Sequence, residues 1–420
     1  MDSRWLGGKT HFIRIMSDQN AQRVVVASQH YPPDKSGNAS RVSDTCSRLA
    51  AEGWEVTVLA PPPAFPHGQF DRSWDRKTTD TRDGVTVHRL WAWQPTLEDP
   101  GFISRMAYYL LFPIHAFLWL LFNYRTYDAV ITSSPPIFTG MAALPFGLLS
   151  RKSWIVDVRD LWIDASVGLG FIEEGGVLER ISRAYERVVL RTADRVTVTT
   201  MILGERLESQ YGIDDRKIVH LPNGVETAEF RPTDGESEST IVYAGNVGHA
   251  QDLEACIKAL SEMDSDTATL RIVGDGDIRN DLEELVSEEG LDDRVEFTGL
   301  VPREEIPGIL DNAAIGVAPL KSDDVLEYAV PTKAYEYMAF RLPVVATGIG
   351  EIEVLIDESE GGVFVENDPQ RLAEALDTLL ADPERREQLG RNGREHVVER
   401  YDRGVIAARL SAVLDEVVVS

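Results

Sequence analysis

The 420-residue sequence contains only two cysteines, and this scarcity excludes a disulfide framework. Cys46 and Cys256 are far apart in the chain, and neither belongs to a zinc-ligand pattern. We therefore expect a reducing compartment. The first 20 residues also lack the apolar core of a signal peptide, so a cytoplasmic protein is expected, with Met16 as an alternative start.

Basic residues are also scarce, with 42 Lys and Arg against 69 Asp and Glu and a net charge of −27. General nucleic-acid binding needs a basic surface, so this class of partner is excluded. Such an acidic excess suits a protein that stays soluble in concentrated salt, which suggests a halophilic origin. The part up to Arg125 is nearly neutral, with 14 basic and 12 acidic residues. We therefore expect a partner that tolerates or prefers a first part that is not acidic.

Short β-branched runs alternate with helical stretches in two series, which predicts parallel, doubly wound sheets. The predicted class is α/β, with two Rossmann-like domains whose parallel sheets face each other across a ligand-binding cleft. A stretch rich in Pro, Gly, Ser and acidic residues predicts the linker. The predicted parts are an N-terminal extension (1–22), a first domain (23–222), the linker (223–238), a second domain (239–398) and a C-terminal helix (399–420).

Residues 106–124 carry no fixed charge over 19 positions, about the length of a membrane span. Arg105 and Arg125 flank the run, and Trp and Tyr are frequent in it, as at a bilayer interface. A crossing would place halves of one sheet on opposite sides of the bilayer, so we favour in-plane membrane contact through residues 103–124. The alternative is a buried pair of helices broken near Pro113.

Two candidate motifs follow predicted strands of the first domain. Gly37 precedes a helix, where backbone N–H groups could approach an anion or a sugar; an ordinary turn and helix cap is the alternative. Arg159 and Asp160 follow the strand that ends near Asp157, and three ionisable groups leaving a buried strand are typical of a site. The alternative there is an internal salt bridge.

The stretch VGDGD (273–277) has the Asp-x-Asp spacing that ligates a divalent metal in many sugar-transferring enzymes. Because it lies between a strand and a helix, Gly274 and Gly276 are predicted turn residues and Asp277 a helix cap. We therefore expect no metal site. A dinucleotide-binding motif is also excluded, because Arg279 occupies the position of its third glycine.

The strongest candidate site lies within residues 331–350. Lys333, in the first turn of a predicted helix, could hold a phosphate, and Glu336 on the same face could accept both hydroxyls of a ribose. The loop with Gly348 and Gly350 could offer backbone N–H groups to a diphosphate, so the spacing predicts a nucleoside diphosphate. The alternative is a Lys333–Glu336 pair across one helix turn, worth only about 0.3 kcal/mol.

Eight stretches occur in order between residues 30 and 347: HYPPDKSGNASR, ITSSPPIFTGMAAL, VDVRDLW, LPNGVE, YAGNVGHAQDLE, VGDGDIRNDLEEL, VEFTGLVPREEIPGIL and PTKAYEYMAFRLPVVAT. Together they resemble family 4 retaining glycosyltransferases of the GT-B fold. The similarity is closer to a branch that builds cell-surface polysaccharides and includes N-acetylfucosamine transferases.

The resemblance implies a retaining hexosyl or N-acetylhexosaminyl transfer, without a metal or other cofactor, from a nucleotide sugar to a lipid-linked or glycan acceptor. The second domain would bind the donor, and the first domain would bind the acceptor at the cytoplasmic face of the cell membrane. The C-terminal helix would return to the first domain. Lys333, Arg159 and Asp160 are the predicted catalytic residues. The predicted donor-binding residues are Gly37, Asn246, Gln251, Gly274, Leu300, Val301, Lys333, Glu336, Gly348 and Gly350.

The chain departs from the family pattern at three places. The first member of the family's glutamate pair is replaced by Tyr328, with Glu327 one residue too early. The Arg and Lys that commonly hold the diphosphate are replaced by Asn246 and Gln251, and the usual reaction-centre histidine by Arg159. Two rival functions therefore stay open: a nucleotide-sugar epimerase of the same architecture, and a catalytically silent nucleotide-sugar-binding scaffold.

Overall fold

The computed structural model describes residues 21–149, 151–168, 170–233 and 239–419. Nearly all of the predicted N-terminal extension, including Met16, and residues 234–238 of the predicted linker lie outside these ranges.

The first domain is built on an eight-stranded sheet. Its strands are β1 (Arg23–Ala27), β2 (Glu55–Ala60), β3 (Lys77–Arg82), β4 (Val85–Leu90), β5 (Ala129–Ser134), β6 (Ser153–Val158), β7 (Arg195–Val198) and β8 (Ile218–His220). The order is β3-β4-β2-β1-β5-β6-β7-β8, and all neighbours are parallel except β3 with β4. Strand β3 was not predicted, because its residues KTTDTR are all polar and exposed and have no buried face.

Helices cover both faces of this sheet. They are α1 (Gly37–Ala51), α2 (Phe102–Phe122), α3 (Leu144–Leu148), α4 (Trp162–Gly168), α5 (Val177–Thr192) and α6 (Met201–Tyr211). Short 3-10 helices cover Ile137–Ala142 and Asp215–Lys217.

The second domain is built on a six-stranded sheet in which all neighbouring strands are parallel. Its strands are β9 (Thr240–Ala244), β10 (Thr269–Val273), β11 (Val295–Gly299), β12 (Ile315–Ala318), β13 (Val344–Ala346) and β14 (Gly362–Phe364), in the order β11-β10-β9-β12-β13-β14. Its helices are α7 (Leu253–Glu262), α8 (Arg279–Glu288), α9 (Ile306–Leu310), α10 (Thr332–Ala339), α11 (Glu351–Ser359), α12 (Pro369–Ala381) and α13 (Pro383–Arg400), with 3-10 turns at Arg303–Glu305 and Asp324–Leu326. The predicted α/β class with two parallel-sheet domains is confirmed.

The last helix, α14 (Arg403–Val419), returns to the first domain, as expected. Its buried Leu410 and Leu414 belong to the same hydrophobic cluster as Val24 of β1. Ser411 Oγ accepts a hydrogen bond from Trp54 Nε1 at 2.9 Å. The chain therefore crosses twice between the domains, and the second crossing ends in the core of the first domain.

Helix α2 is one uninterrupted helix that passes through Pro113, so the predicted alternative of two helices with a break there is wrong. Its inner face places Phe112, Ala116 and Leu120 in the core of the first domain. Its outer face exposes apolar side chains: Ile103, Ile114, Leu118, Leu121 and Phe122. Among the described residues it is the one helix long and apolar enough to cross a membrane, and 28% of its most apolar 18-residue window is buried.

We predict that Leu414→Ala lowers the free energy of unfolding by about 2–5 kcal/mol, because it leaves a cavity between α14 and the first sheet. Urea denaturation measures the effect. Val419→Ala is the matched control, since Val419 lies on the same helix but is largely exposed. Equal, small losses in the two variants would show that α14 does not brace the first domain.

Candidate active site

The carboxyl ends of the two sheets face each other. Asp160 follows β6 and Thr200 follows β7, whereas Tyr328 lies in the connection from β12 to α10. The Tyr328 hydroxyl donates to the Asp160 carboxylate, and Thr200 Oγ1 donates to the carbonyl oxygen of Tyr328 at 2.9 Å. Ligands of open α/β sheets bind at such carboxyl edges, so the candidate site lies between these loops.

A second set of contacts joins the domains beside Tyr328. The Glu351 carboxylate accepts hydrogen bonds from the backbone N–H groups of Met201 at 3.1 Å and Ile202 at 3.0 Å, which begin α6. A carboxylate at this place satisfies N–H groups that have no partner within the helix. Burial raises the pKa of Glu351, although these two bonds oppose the shift. Arg206 of α6 also pairs with Glu327, with Nε 3.0 Å from Oε2.

Lys333 is a buried lysine at the N-terminal end of α10. Its Nζ lies 3.8 Å from the centre of the Tyr243 ring, a cation–π contact, and its side chain covers Gly245, which follows β9. Burial lowers the pKa of Lys333 to about 7. The ammonium is therefore held where the charged form is disfavoured until an anion joins it.

Glu336 is paired with Arg303. Arg303 Nη2 donates to Glu336 Oε1 at 3.1 Å, so the predicted choice between Lys333 and a ligand missed this arginine. Burial raises the pKa of Glu336, and Arg303 opposes this shift. The Glu336 side chain is 13% exposed, whereas that of Arg303 is 55% exposed. The arginine can therefore move into solvent and leave the Glu336 carboxylate without this partner.

Gly274 has a structural role that the sequence only partly indicated. It has φ +135°, and a Cβ there would overlap the carbonyl oxygen of Gly245. Its N–H donates to the carbonyl oxygen of Gly299 at 2.9 Å. The loops after β9, β10 and β11 are thus held against each other at one edge of the sheet.

Four predicted donor-binding positions are exposed or half-buried beside these loops. Asn246 is exposed in the loop after β9, and Gln251 closes that loop through a 3.2 Å hydrogen bond from its N–H to the carbonyl oxygen of Gly248. Leu300 is 80% exposed after β11, whereas the neighbouring Val301 packs against the core of the second domain.

The loop with Gly348 and Gly350 follows β13. Both glycines have positive φ, +126° and +75°, which favours glycine. A Cβ on Gly350 would overlap the backbone of Glu327, and the N–H of Glu351 donates to the Glu327 carbonyl oxygen at 2.8 Å. This loop therefore holds the segment that carries Tyr328.

In the first domain, Arg159 forms the internal salt bridge that was the alternative to a catalytic role. Its Nε lies 2.7 Å from Asp157 Oδ2, and both side chains are mostly buried. Asp157 also accepts from Thr197 Oγ1 at 2.7 Å, and burial raises its pKa. Arg159 Nη1 is buried without a partner among the described residues. Gly37 is the first residue of α1, and a Cβ there would meet open space.

One polar pair at this edge was missed by the sequence reasoning. Asp34 is buried, and its Oδ1 accepts from the N–H groups of Ala64 at 2.8 Å and Phe65 at 2.9 Å. Its Oδ2 lies 3.4 Å from His30 Nδ1. Both residues belong to the quoted stretch HYPPDKSGNASR, but the two hydrogen bonds to Asp34 come from a loop some 30 residues away.

Within the described ranges, no three His, Cys, Asp or Glu side chains lie close enough together to hold a metal ion. Asp275 is the first acid of VGDGD. Its Oδ2 lies 3.9 Å from Arg279 Nη1, and its Oδ1 accepts a hydrogen bond from the N–H of Gly276. The predicted cap role of Asp277 is wrong, because Ile278 is the N-cap of α8.

Comparison with known families assigns the two halves of the chain. Residues 36–224 match the model described as a glycosyl transferase 4-like domain, and residues 225–396 match glycosyl transferases group 1. The chain is therefore a glycosyltransferase of the GT-B type, with a 4-like first domain and a group 1 second domain.

Among curated relatives, the chain is 25% identical to the putative colanic acid biosynthesis glycosyl transferase WcaI of Escherichia coli, over 69% of this chain and 74% of that protein. It is 26% identical to a D-inositol 3-phosphate glycosyltransferase of Kineococcus radiotolerans, over 88% and 90%.

Solved structures show the same fold. Sucrose-phosphate synthase of Thermosynechococcus elongatus superposes with a TM-score of 0.73 and 21% identity, covering 95% of this chain and 99% of that chain. HepE of Anabaena, solved in complex with UDP-glucose, superposes with a TM-score of 0.66 and 14% identity, over 94% and 99%.

We predict that Lys333 makes stability depend on pH. The pKa of Lys333 is about 7 in the folded chain against 10.5 for an ordinary lysine, so the unfolded chain binds more protons between these values and stability rises with pH. In donor-free protein, the stability of wild type relative to Lys333→Met should increase by roughly 1 kcal/mol per pH unit from pH 7.5 to 9.5. Denaturant titrations at each pH measure this difference.

Lys321→Met is the control, because Lys321 is an exposed lysine of the same domain. A pH-dependent difference found for Lys333→Met but not for this variant would come from the buried position of Lys333. A flat difference for Lys333→Met as well would mean that Lys333 is not held in a site that disfavours its charge.

Proposed function

We propose that the protein transfers a sugar from a nucleotide-diphosphate sugar to a lipid-linked or glycan acceptor at the cytoplasmic face of the cell membrane. The observation that carries this proposal is the buried Lys333 ammonium at the start of α10, with the Glu336 carboxylate one turn further along. An anion and a hydroxylated ring are the ligands that these two groups would bind together. The UDP-glucose complex of HepE supports a donor of this class.

The donor would bind along the carboxyl edge of the second sheet. Lys333 would pair with the diphosphate, and its charge would be restored on binding. Glu336 would accept the ribose hydroxyls once Arg303 moves away, and backbone groups of Leu300 and Val301 would meet the base. The loop at Gly348 and Gly350 would add N–H groups to the diphosphate.

The chemical step would be the departure of the nucleoside diphosphate from the anomeric carbon. Negative charge then grows on the phosphate oxygen that leaves, and Lys333 with the loop N–H groups would stabilise it. For retention, the acceptor oxygen would attack the face that the leaving group vacates, and its proton would pass to the departing phosphate. No metal ion is required for this charge stabilisation.

Arg159 and Asp160 would act from the first domain. Arg159 is tied to Asp157, and we assign it to the opposite wall of the site. Its Nη1 is buried without a partner among the described residues, so it would have to be uncovered before it could meet the reacting sugar or the phosphate. Asp160 would need its Tyr328 contact to open before it could contact the acceptor. Closure of the two domains would exclude water and so prevent hydrolysis of the donor.

The acceptor is assigned to the membrane because of the outer face of α2. This face exposes Ile114, Leu118 and Leu121, whereas the inner face is packed in the core. Because the inner face is packed in the core, α2 would contact a bilayer along its outer side and would lie in the plane of the interface. The colanic acid relative supports a role in surface glycan assembly, here glycan or glycoprotein glycan synthesis. The acidic excess supports a halophilic host.

A panel of nucleotide sugars and nucleoside diphosphates, scored by thermal stabilisation of the purified protein, tests the donor assignment. We predict that Glu336→Ala weakens binding of the best donor by at least about tenfold, since hydrogen bonds to a carboxylate contribute about 1.5–3 kcal/mol. Glu296→Ala is the matched control, because it removes another Arg–Glu pair of the same domain, with Arg271. Equal binding by all three proteins would place the donor elsewhere.

Turnover assays separate the remaining functions. Sugar transfer that requires an acceptor supports the proposal, whereas isomerisation of the free nucleotide sugar would indicate an epimerase. Donor binding without turnover for any lipid or glycan acceptor would indicate a catalytically silent scaffold. This alternative is favoured by Tyr328, which occupies the position of the first glutamate in the family's pair.

We predict that Leu118→Asp with Leu121→Asp lowers binding to phosphatidylglycerol vesicles by at least about tenfold, because two charges would have to enter the apolar interface. Sedimentation with vesicles measures the bound fraction. Val354→Asp with Val398→Asp is the control, since both are exposed valines of the second domain. Vesicle binding that persists in the α2 variant, or a wild type that never binds, would contradict the membrane assignment.

A further inference from the structure

A cavity of about 420 Å³ opens in the first domain between the start of α2 and the helices α4 and α5. Its lining is dominated by aromatic rings: Phe102, Tyr109, Phe138, Trp162 and Phe171. A mostly apolar pocket of this size can enclose a small ligand or part of a larger one. None of the predicted site residues lines it.

Two of the polar side chains in the lining already have partners. Arg105 Nη2 lies 2.7 Å from Asp99 Oδ1, and Arg105 Nε donates to the carbonyl oxygen of Pro100 at 2.9 Å. Ser166 Oγ donates to the carbonyl oxygen of Trp162 at 2.7 Å. The wall therefore offers mainly apolar contact, which suits a hydrocarbon and not a sugar.

The cavity lies between two parts of the first domain that the proposed function uses, the carboxyl edge of the sheet and the start of α2. Trp162 stands two residues after Asp160, and Phe138 follows β5, the neighbour of β6, so one end reaches the carboxyl edge of the first sheet. The other end is rimmed by Phe102 and Phe171, which are 59% and 58% exposed. Ile103, which follows Phe102, is 84% exposed and is the first residue of the exposed outer face of α2.

We propose that this cavity binds the hydrocarbon tail of the lipid-linked acceptor, at the part of the tail next to the phosphorylated head. The inference rests on the proposed function and names its acceptor class. A tail that leaves the bilayer along α2 would fill the aromatic cavity, and its head would then lie at the sheet edge near Asp160. A water-soluble glycan has no part that would gain from this cavity, whereas a hydrocarbon chain gains with each methylene that it buries.

Farnesyl phosphate, used below its aggregation concentration, is the probe, and isothermal titration calorimetry on the full chain measures its binding. Geranyl phosphate, five carbons shorter, should bind at least about tenfold more weakly, because it leaves part of the cavity unfilled. Ala165→Trp places an indole in the cavity and should weaken farnesyl phosphate binding at least about tenfold. Ala165→Ser is the matched control at the same position and should bind like wild type.

A surface variant separates the cavity from the outer face of α2. Leu118→Asp should keep farnesyl phosphate binding in solution, because Leu118 does not line the cavity. Binding that is lost in this variant but kept in Ala165→Trp would place the tail on the helix surface and overturn the proposal. No saturable binding by wild type, or equal affinity for the two chain lengths, would also overturn it.

Nucleoside diphosphate binding to the same proteins keeps this test distinct from that of the proposed function. Ala165→Trp should bind the nucleotide as wild type does, which shows that it is folded. A wild type that binds a nucleotide but no farnesyl phosphate refutes the cavity assignment alone. A wild type that binds neither refutes the proposed function as well.

Discussion

The amino group of Lys333 is buried in the second domain, and this burial disfavours its charged form. The surrounding residues hold the amino group in that position. The Tyr243 ring lies on one side of Nζ, the loop at Gly245 lies beneath it, and the start of α10 adds N–H groups that no side chain caps. Glycine at 245 and 274 lets these loops approach closely. An anion that enters this site meets the Lys333 amino group and helix N–H groups that are positioned in advance, and the amino group regains its charge beside the anion.

The second constraint is the contact between the domains. Glu351 satisfies the first N–H groups of α6, and Tyr328 reaches Asp160. The Tyr328 contact also gives a physical reason for the departure from the family's glutamate pair. A glutamate at position 328 would place a second carboxylate beside Asp160, and one of the two would have to take up a proton. A tyrosine hydroxyl donates to Asp160 without that penalty.

The sequence predicted the parts of this structure that depend on local pattern. Buried β-branched runs such as VVVA in β1 identified both sheets, and the first turn of α10 identified Lys333. Strand β3 was missed because its side chains are exposed, and it is held by pairing with β4. Three arrangements depend on tertiary contacts, which no local pattern specifies: the Arg303–Glu336 pair, the Glu351 cap on α6 and the hydrogen bonds from the Ala64 loop to Asp34.

The most direct test of the central claim is the number of protons taken up when a nucleoside diphosphate binds. Titration calorimetry at pH 8.5, in buffers of different ionisation enthalpy, gives this number for wild type and Lys333→Met. If Lys333 is held neutral and regains its charge against the diphosphate, wild type takes up nearly one proton and the variant takes up almost none. Tight binding to wild type with no proton uptake would contradict the account, because the diphosphate would then lie away from Lys333.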